Sequence, residues 1–212
     1  MRATLVLVLL GLFTSACGSP PEPPAAPPRA EPNREADVAL APLPFEDEGA
    51  CPFEGCVYRR WTATDAVDVR AGRADDAPVT FSIPAGESVQ AVTGVVVTTR
   101  PGRVRFRRAV DLPSESGAVH VEPDQELFLL TYQGEGFFTA SVEGVVHRGV
   151  DGTTFMNGAC GDGPHRCVGE IVQQPESTWW VQVRNARGES GWTDEAGKFA
   201  GKDALAGPEG VR

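Results

Sequence analysis

The sequence predicts an all-β protein. Short runs rich in β-branched and aromatic residues alternate with turn residues, and no amphipathic run of helical length competes with them. The predicted strands are residues 67–69, 78–83, 88–99, 103–110, 126–132, 137–142, 179–184 and 190–193. Many short strands at this spacing are typical of a β-barrel or a β-sandwich.

The first of two informative turns lies at residues 99–103. Pro101 and Gly102 stand at its centre, as a type II turn requires, because proline presets φ and glycine accepts a positive φ. We therefore expect a hairpin at this position. In the strand that follows, Val104 and Phe106 alternate with arginines, which predicts one apolar face and one basic face.

The second turn lies at residues 185–188, where a polar Asn-Ala-Arg-Gly sequence follows an alternating strand. Trp179, Val181 and Val183 are predicted to share one face of that strand, opposite the face of its polar residues. The chain then returns through residues 190–193, which completes a second predicted hairpin.

The first sixteen residues have the pattern of an export signal. Arg2 precedes an apolar run at residues 5–13, which is too short to cross a bilayer core of ~30 Å. Ser15 and Ala16 directly before Cys17 resemble the lipobox of bacterial lipoproteins. The resemblance implies that the Cys17 sulfur receives diacylglycerol and anchors the mature chain to a bacterial membrane, on its periplasmic or outer-surface face. The alternative is ordinary secretion, with Cys17 as a spare thiol.

Residues 17–44 are predicted to be a linker. Nine prolines lie between residues 18 and 44, and no apolar periodicity there could bury a face. A polyproline II chain extends ~3.1 Å per residue, so this segment reaches up to roughly 80 Å. Residues 45–200 are predicted to form the folded part, one domain or two small ones, and residues 201–212 a C-terminal tail.

Three segments resemble bacterial SH3 (SH3b) domains. Residues 67–72 resemble the opening strand and loop of that family, residues 83–89 the entry to the next strand, and residues 180–193 the closing hairpin. Residues 122–146 have a similar pattern. The resemblance implies an SH3-like barrel. The gap of about ninety residues before the closing hairpin is far longer than the family needs, so two small barrels lie in series or one barrel carries large insertions.

Four cysteines follow Cys17, which in an exported chain favours disulfides. Cys51 and Cys56 lie close together in sequence, as do Cys160 and Cys167. Four cysteines allow three pairings. We favour the two local pairs, because each would close a short turn that contains glycine and proline.

A metal site is the alternative for these cysteines. Cys160, His165 and Cys167 carry zinc-ligand chemistry, and Cys51 with Cys56 could complete a tetrahedron. The spacings differ from those of common zinc modules, and an oxidising compartment works against thiolate ligands. We therefore predict no metal and no cofactor.

A second alternative is a Cys–His hydrolase, with Cys160 or Cys167 as nucleophile and His120, His147 or His165 as base. Such a nucleophile needs a base that a third group orients, and no arrangement of that kind can be identified in the sequence. We therefore predict that the protein is not an enzyme.

A cluster of arginines stands out in an otherwise acidic chain. The net charge is −10, which disfavours nucleic acid as a partner. The cluster, here called the arginine stripe, consists of Arg100, Arg103, Arg105, Arg107 and Arg108. Guanidinium groups pair with carboxylates, so the stripe is a candidate surface for peptidoglycan stem peptides or an acidic protein. The alternative is a solvated edge whose charges discourage sheet-to-sheet aggregation.

SH3b domains are commonly binding modules of the bacterial cell envelope. The resemblance thus implies a membrane-anchored lipoprotein that binds cell-wall peptidoglycan or another envelope protein. Two alternatives are left open: an envelope hydrolase or its accessory subunit, and a structural spacer protein.

Overall fold

Two β-sheets and a separate β-hairpin make up the computed structural model, which describes residues 41, 43–123, 125–156 and 168–206. The predicted signal peptide, Cys17 and nearly all of the predicted linker lie outside the described residues, as do Cys160, His165 and Cys167. In the part of the chain that is described, no helix has the length and apolar character needed to cross a membrane.

The all-β prediction is confirmed. In chain order the strands are β1 (Phe45–Glu48), β2 (Arg60–Ala63), β3 (Val67–Arg70), β4 (Val79–Ile83), β5 (Ser88–Arg100), β6 (Gly102–Phe106), β7 (Val110–Ser114), β8 (Gly117–Val121), β9 (Glu126–Gly134), β10 (Phe137–Val142), β11 (Val145–Asp151), β12 (Gly169–Gln173), β13 (Glu176–Arg184), β14 (Ser190–Thr193) and β15 (Phe199–Ala200). A short 3-10 helix, Ala196–Lys198, precedes the last strand.

The first sheet has eight strands and curls into a half-barrel. Its order is β15-β2-β5-β13-β14-β3-β4, and β1 pairs with the outer part of β5. The concave core is built from alternate residues of these strands, as a period of two requires. Its buried members are Trp61, Ala63, Val67, Val69, Phe81, Ile83, Val89, Ala91, Val181, Val183, Ala196 and Phe199.

The second sheet lies between β5 and β13 in the sequence. Its order is β11-β10-β9-β6-β12, and the β7–β8 hairpin packs beside β11. Its core contains Val104, Phe106, Leu112, Val119, Val121, Leu127, Leu129, Phe138, Ala140, Val142, Val150 and Phe155. Because this sheet is inserted between two paired strands of the first sheet, the alternative of two barrels in series is wrong.

The two predicted hairpins have opposite outcomes. The second is confirmed, because β13 pairs with β14 and Arg184 lies opposite Ser190. The first is wrong, because β5 pairs with β1, β2 and β13, whereas β6 pairs with β9 and β12. Gly102 lacks a positive φ, and the chain crosses at Pro101 from one sheet to the other.

The predicted strand 103–110 is also too long. It ends at Phe106, where the Arg107 amide donates to the Val168 carbonyl, and a new strand starts at Val110. Two hairpin turns connect β9, β10 and β11, each with a glutamate and a glycine at positive φ: Glu135 and Gly136, then Glu143 and Gly144. This is the conformation of a type I′ turn, whose twist matches that of the flanking strands.

Asp47 joins the two sheets. Its backbone lies in β1 of the first sheet, while its carboxylate, fully buried, accepts hydrogen bonds from two side chains of the second sheet. The donors are Thr139 Oγ1 at 2.8 Å and Arg148 Nη2 at 2.6 Å. Thr98 Oγ1 adds a bond of 2.6 Å to the Leu130 carbonyl. These contacts fix one sheet against the other.

Candidate functional site

A cleft of about 630 Å³ opens where three segments of the chain meet. One wall is the loop at residues 51–56, here called the disulfide loop. The opposite wall is formed by the end of β7, at residues 113–115, and by the β9–β10 turn at residues 133–137, with Gly149 beside them. The volume lies within the range usual for ligand sites.

A disulfide closes the loop that forms the first wall. Cys51 and Cys56 lie at disulfide distance, with Cα atoms 5.5 Å apart, as local pairing predicts. The second predicted local pair, Cys160 with Cys167, lies outside the described residues. The loop is also bound to the segment that follows β15, because the Ala204 amide donates to the Gly55 carbonyl at 2.7 Å.

Aromatic side chains fix the loop to the first sheet. Phe53 packs edge-on against Trp179, with ring centroids 5.8 Å apart. Tyr58 donates to the Ala50 carbonyl and accepts a 3.2 Å hydrogen bond from Trp179 Nε1. Burial raises the pKa of Tyr58 to about 12, against the opposing effect of the Trp179 hydrogen bond, so the phenol stays protonated and keeps donating.

Hydrogen bonds donated by backbone amides position the second wall. The Glu115 amide donates to the Arg148 carbonyl at 3.0 Å, which fixes the end of β7 on β11. The Gly149 amide donates to Gln133 Oε1 at 2.9 Å and thereby fixes the start of the β9–β10 turn. The wall therefore rests on strands, which hold a site more precisely than free loops do.

The charge of the cleft has one sign. Glu54, Glu115 and Glu135 line it, all three are exposed, and their carboxylates make no hydrogen bond or ion pair with any residue that the structure describes. No lysine or arginine is among the described residues of the lining. Phe53 and Phe137 add aromatic surface, and Phe137 is 40% exposed. We call this site the acidic cleft.

Such an arrangement favours a cationic group. Three carboxylates with no cation of their own attract positive charge, and an aromatic face attracts it further through its quadrupole. An ammonium group with a short apolar stem fits both features, because the stem can contact a phenyl ring while the head group meets a carboxylate.

The arginine stripe is largely neutralised in the fold. Arg100 pairs with Glu176, Arg103 with Glu126, and Arg107 with Glu170 at 3.4 Å. The glutamates lie on neighbouring strands. Arg105 itself stands directly opposite Glu126 on β9 and Glu170 on β12 in the strand register. Arg105 and Arg108 are exposed and make no ion pair with a described residue.

The described histidines do not form a metal site. His120 on β8 bonds through Nδ1 to Asp111 at 2.7 Å and through Nε2 to Glu122 at 3.1 Å. The Asp111 hydrogen bond, followed by that of Glu122, raises the pKa of His120. Within residues 43–123, 125–156 and 168–206, no group of three or more His, Cys, Asp or Glu side chains is arranged to hold a metal ion.

The sequence alone does not identify the acidic cleft, although two signals in it indicate the segments that form the walls. The close spacing of Cys51 and Cys56 indicated a closed loop, and the Glu-Gly pair at residues 135–136 is compatible with a hairpin tip. Comparison with known protein families, curated proteins and solved structures finds no match to this chain. Function is therefore argued from the site alone.

Proposed function

We propose that this protein is a membrane-anchored binding module of a bacterial cell envelope, without enzymatic activity, that holds an amine-bearing ligand in the acidic cleft. The ligand is part of the cell wall or of another envelope protein. Lipidation of Cys17 anchors the chain, and the proline-rich residues 17–44 extend the folded part away from the membrane. The first sheet is an SH3-like barrel, and the second sheet is an insertion into it.

The strand arrangement supports the SH3-like assignment. Three segments that resemble SH3b domains lie in the first sheet, on β3, at the start of β5 and on the β13–β14 hairpin, whereas the stretch with a similar pattern, residues 122–146, contains β9 and β10 of the second sheet. The long gap between the second and the third segment contains the inserted sheet. One modified barrel therefore accounts for both the resemblance and the extra length.

The acidic cleft is the observation that carries the proposed ligand class. The three unpaired glutamates lie on three different segments. The disulfide closes the first segment, and hydrogen bonds to Arg148 and Gly149 of β11 hold the other two beside each other. The arginine stripe is the weaker candidate, because most of its charges already have partners. A peptide that carries a lysine-type amine matches the charge, the aromatic surface and the size of the cleft.

Binding is tested with the full-length protein in detergent. The probes are Nα-acetyl-lysine amide and, as a matched control without the amine, Nα-acetyl-norleucine amide. We expect the lysine probe alone to bind, and the variant Glu54→Gln, Glu115→Gln, Glu135→Gln to lower its affinity roughly tenfold or more. Isothermal titration calorimetry measures both, and thermal unfolding checks that the variant is folded.

An arginine-stripe variant separates the two candidate surfaces. Replacing Arg100, Arg105 and Arg107 with glutamine should leave the affinity for the lysine probe unchanged. Equal binding of the two probes, or full binding by the glutamate variant, would contradict the cleft assignment and leave the spacer or hydrolase-accessory alternatives. Binding that only the arginine variant loses would assign the function to the stripe.

The anchor is tested by fractionating cells that produce the protein or its Cys17→Ala variant. We expect the parent chain in the membrane fraction, and the variant unlipidated and released from it. An unprocessed chain found in the cytosol, with Cys51 and Cys56 reduced, would overturn both the envelope location and the role of the disulfide.

A further inference from the structure

The disulfide loop has a second cleft on its other side. This space of about 420 Å³ lies between Phe53 and the end of the chain from β15 onward, with Phe199, Lys202 and Asp203 in its lining. Phe53 lines this second cleft and the acidic cleft as well. We call the second space the lysine cleft, and the two clefts are separated by one loop of the chain.

The disulfide loop between the clefts is packed against the C-terminal segment. A Cβ atom on Gly55 would lie 2.7 Å from Leu205 Cγ, so the loop is in close contact with the C-terminal segment. Cys56 forms a β-bridge with Asp203, and the Val57 amide donates to the Lys202 carbonyl at 2.9 Å. The spacing of the two clefts is therefore set by backbone contacts and by the disulfide.

Lys202 places an ammonium group in the lysine cleft, and only part of its hydrogen-bonding capacity is used within the described fold. Its ammonium donates one hydrogen bond of 2.7 Å to the Phe199 carbonyl, and an ammonium has three N–H donors. Burial lowers the pKa of Lys202, while the nearby Asp203 opposes this effect. The Asp203 carboxylate is itself engaged, because one of its oxygens accepts from the amides of Leu205 and Ala206 at 2.7 and 3.2 Å.

We propose that the two clefts act together as one binding groove that passes over the disulfide loop at Phe53 and holds a short peptide with an amine at one end and a free carboxylate at the other. The amine lies among Glu54, Glu115 and Glu135, the peptide crosses the ring of Phe53, and the carboxylate meets Lys202. This inference rests on the proposed function, because it assigns the second charged group of the same ligand. The acidic cleft has no lysine or arginine among its described lining residues, so the amine and not the carboxylate lies there, which sets the direction in which the peptide binds.

The test compares acids with their amides. The probes are Nα-acetyl-lysine extended by one, two or three glycines, each with a free carboxylate or a carboxamide, on the full-length protein in detergent. Because each extended residue adds ~3.5 Å, one length should span the groove best. At that length we expect the acid to bind about tenfold tighter than the amide.

Lys202→Gln should remove this difference between acid and amide, whereas Lys202→Arg should retain part of it. Equal affinity of acid and amide at every length overturns the inference while the proposed function stands. Failure of both acids and amides to bind contradicts the proposed function itself. An equal loss for both probes in Lys202→Gln would show that Lys202 supports only the fold. The acid–amide comparison on the parent protein needs no variant, so it decides even where a variant fails to fold.

Discussion

The arginine stripe and the acidic cleft are both clusters of like charge, yet they differ in what lies across from them. Each paired arginine of the stripe forms an ion pair with a glutamate on a neighbouring strand. The glutamates of the cleft come from three separate segments and face no described cation. Strand register cannot be read from the sequence. It determines whether a charged side chain has an ion-pair partner in the fold or faces none.

Asp47 is a charged side chain that is both buried and fully paired. Its side chain is 1% exposed, and its partner Arg148 is 47% exposed. Asp47→Ala should lower the free energy of unfolding by about 3 kcal/mol, because both Thr139 and Arg148 lose a buried acceptor that joins the sheets. Urea unfolding measures the change.

Glu48→Ala is the control on the same strand, and the exposed ion pair of Glu48 with Arg73 contributes less than about 1 kcal/mol. A loss for Asp47→Ala as small as that of the control would mean that this contact does not join the sheets.

A smaller effect is expected within the arginine stripe. Glu126 is 20% exposed and accepts from both Nε and Nη2 of Arg103, the former at 3.1 Å. Glu126→Gln should cost about 1 kcal/mol of unfolding free energy, since a partly buried charged pair is lost. The matched control is Glu176→Gln, whose pair with Arg100 is mostly exposed and should contribute close to zero. Equal losses in the two variants would show that burial does not distinguish the pairs.

Local sequence signals predicted much of the first sheet. Strands β3, β4, β5, β13 and β14 follow from alternating apolar residues and from the turn at residues 185–188. The short strands β1, β2 and β15 escaped prediction. Shortness alone does not explain this, because β3 and β14 also have four residues. β1 has the polar sequence Phe-Glu-Asp-Glu, which forms a strand because of its partner β5.

The inserted sheet was harder to predict, because its pairing depends on distant residues. Pro101 and Gly102 have the local chemistry of a turn, but β5 and β6 each find better partners elsewhere. The same limit applies to both clefts. Residues 51–56, 113–115 and 133–137 are close only after folding, and nothing in their separate sequences indicates that they share a site.

The insertion also bears on the order in which the protein folds. Strands β5 and β13 form the longest pairing among the described strands, and even at its nearest point, Arg100 with Glu176, the two residues are 76 positions apart. Closing so long a loop in an unfolded chain is entropically costly and slow. If residues 102–173 assemble first, their ends already lie side by side, and the half-barrel then has only a short gap to close. We therefore expect the inserted sheet to act as the folding template for the sheet that encloses it.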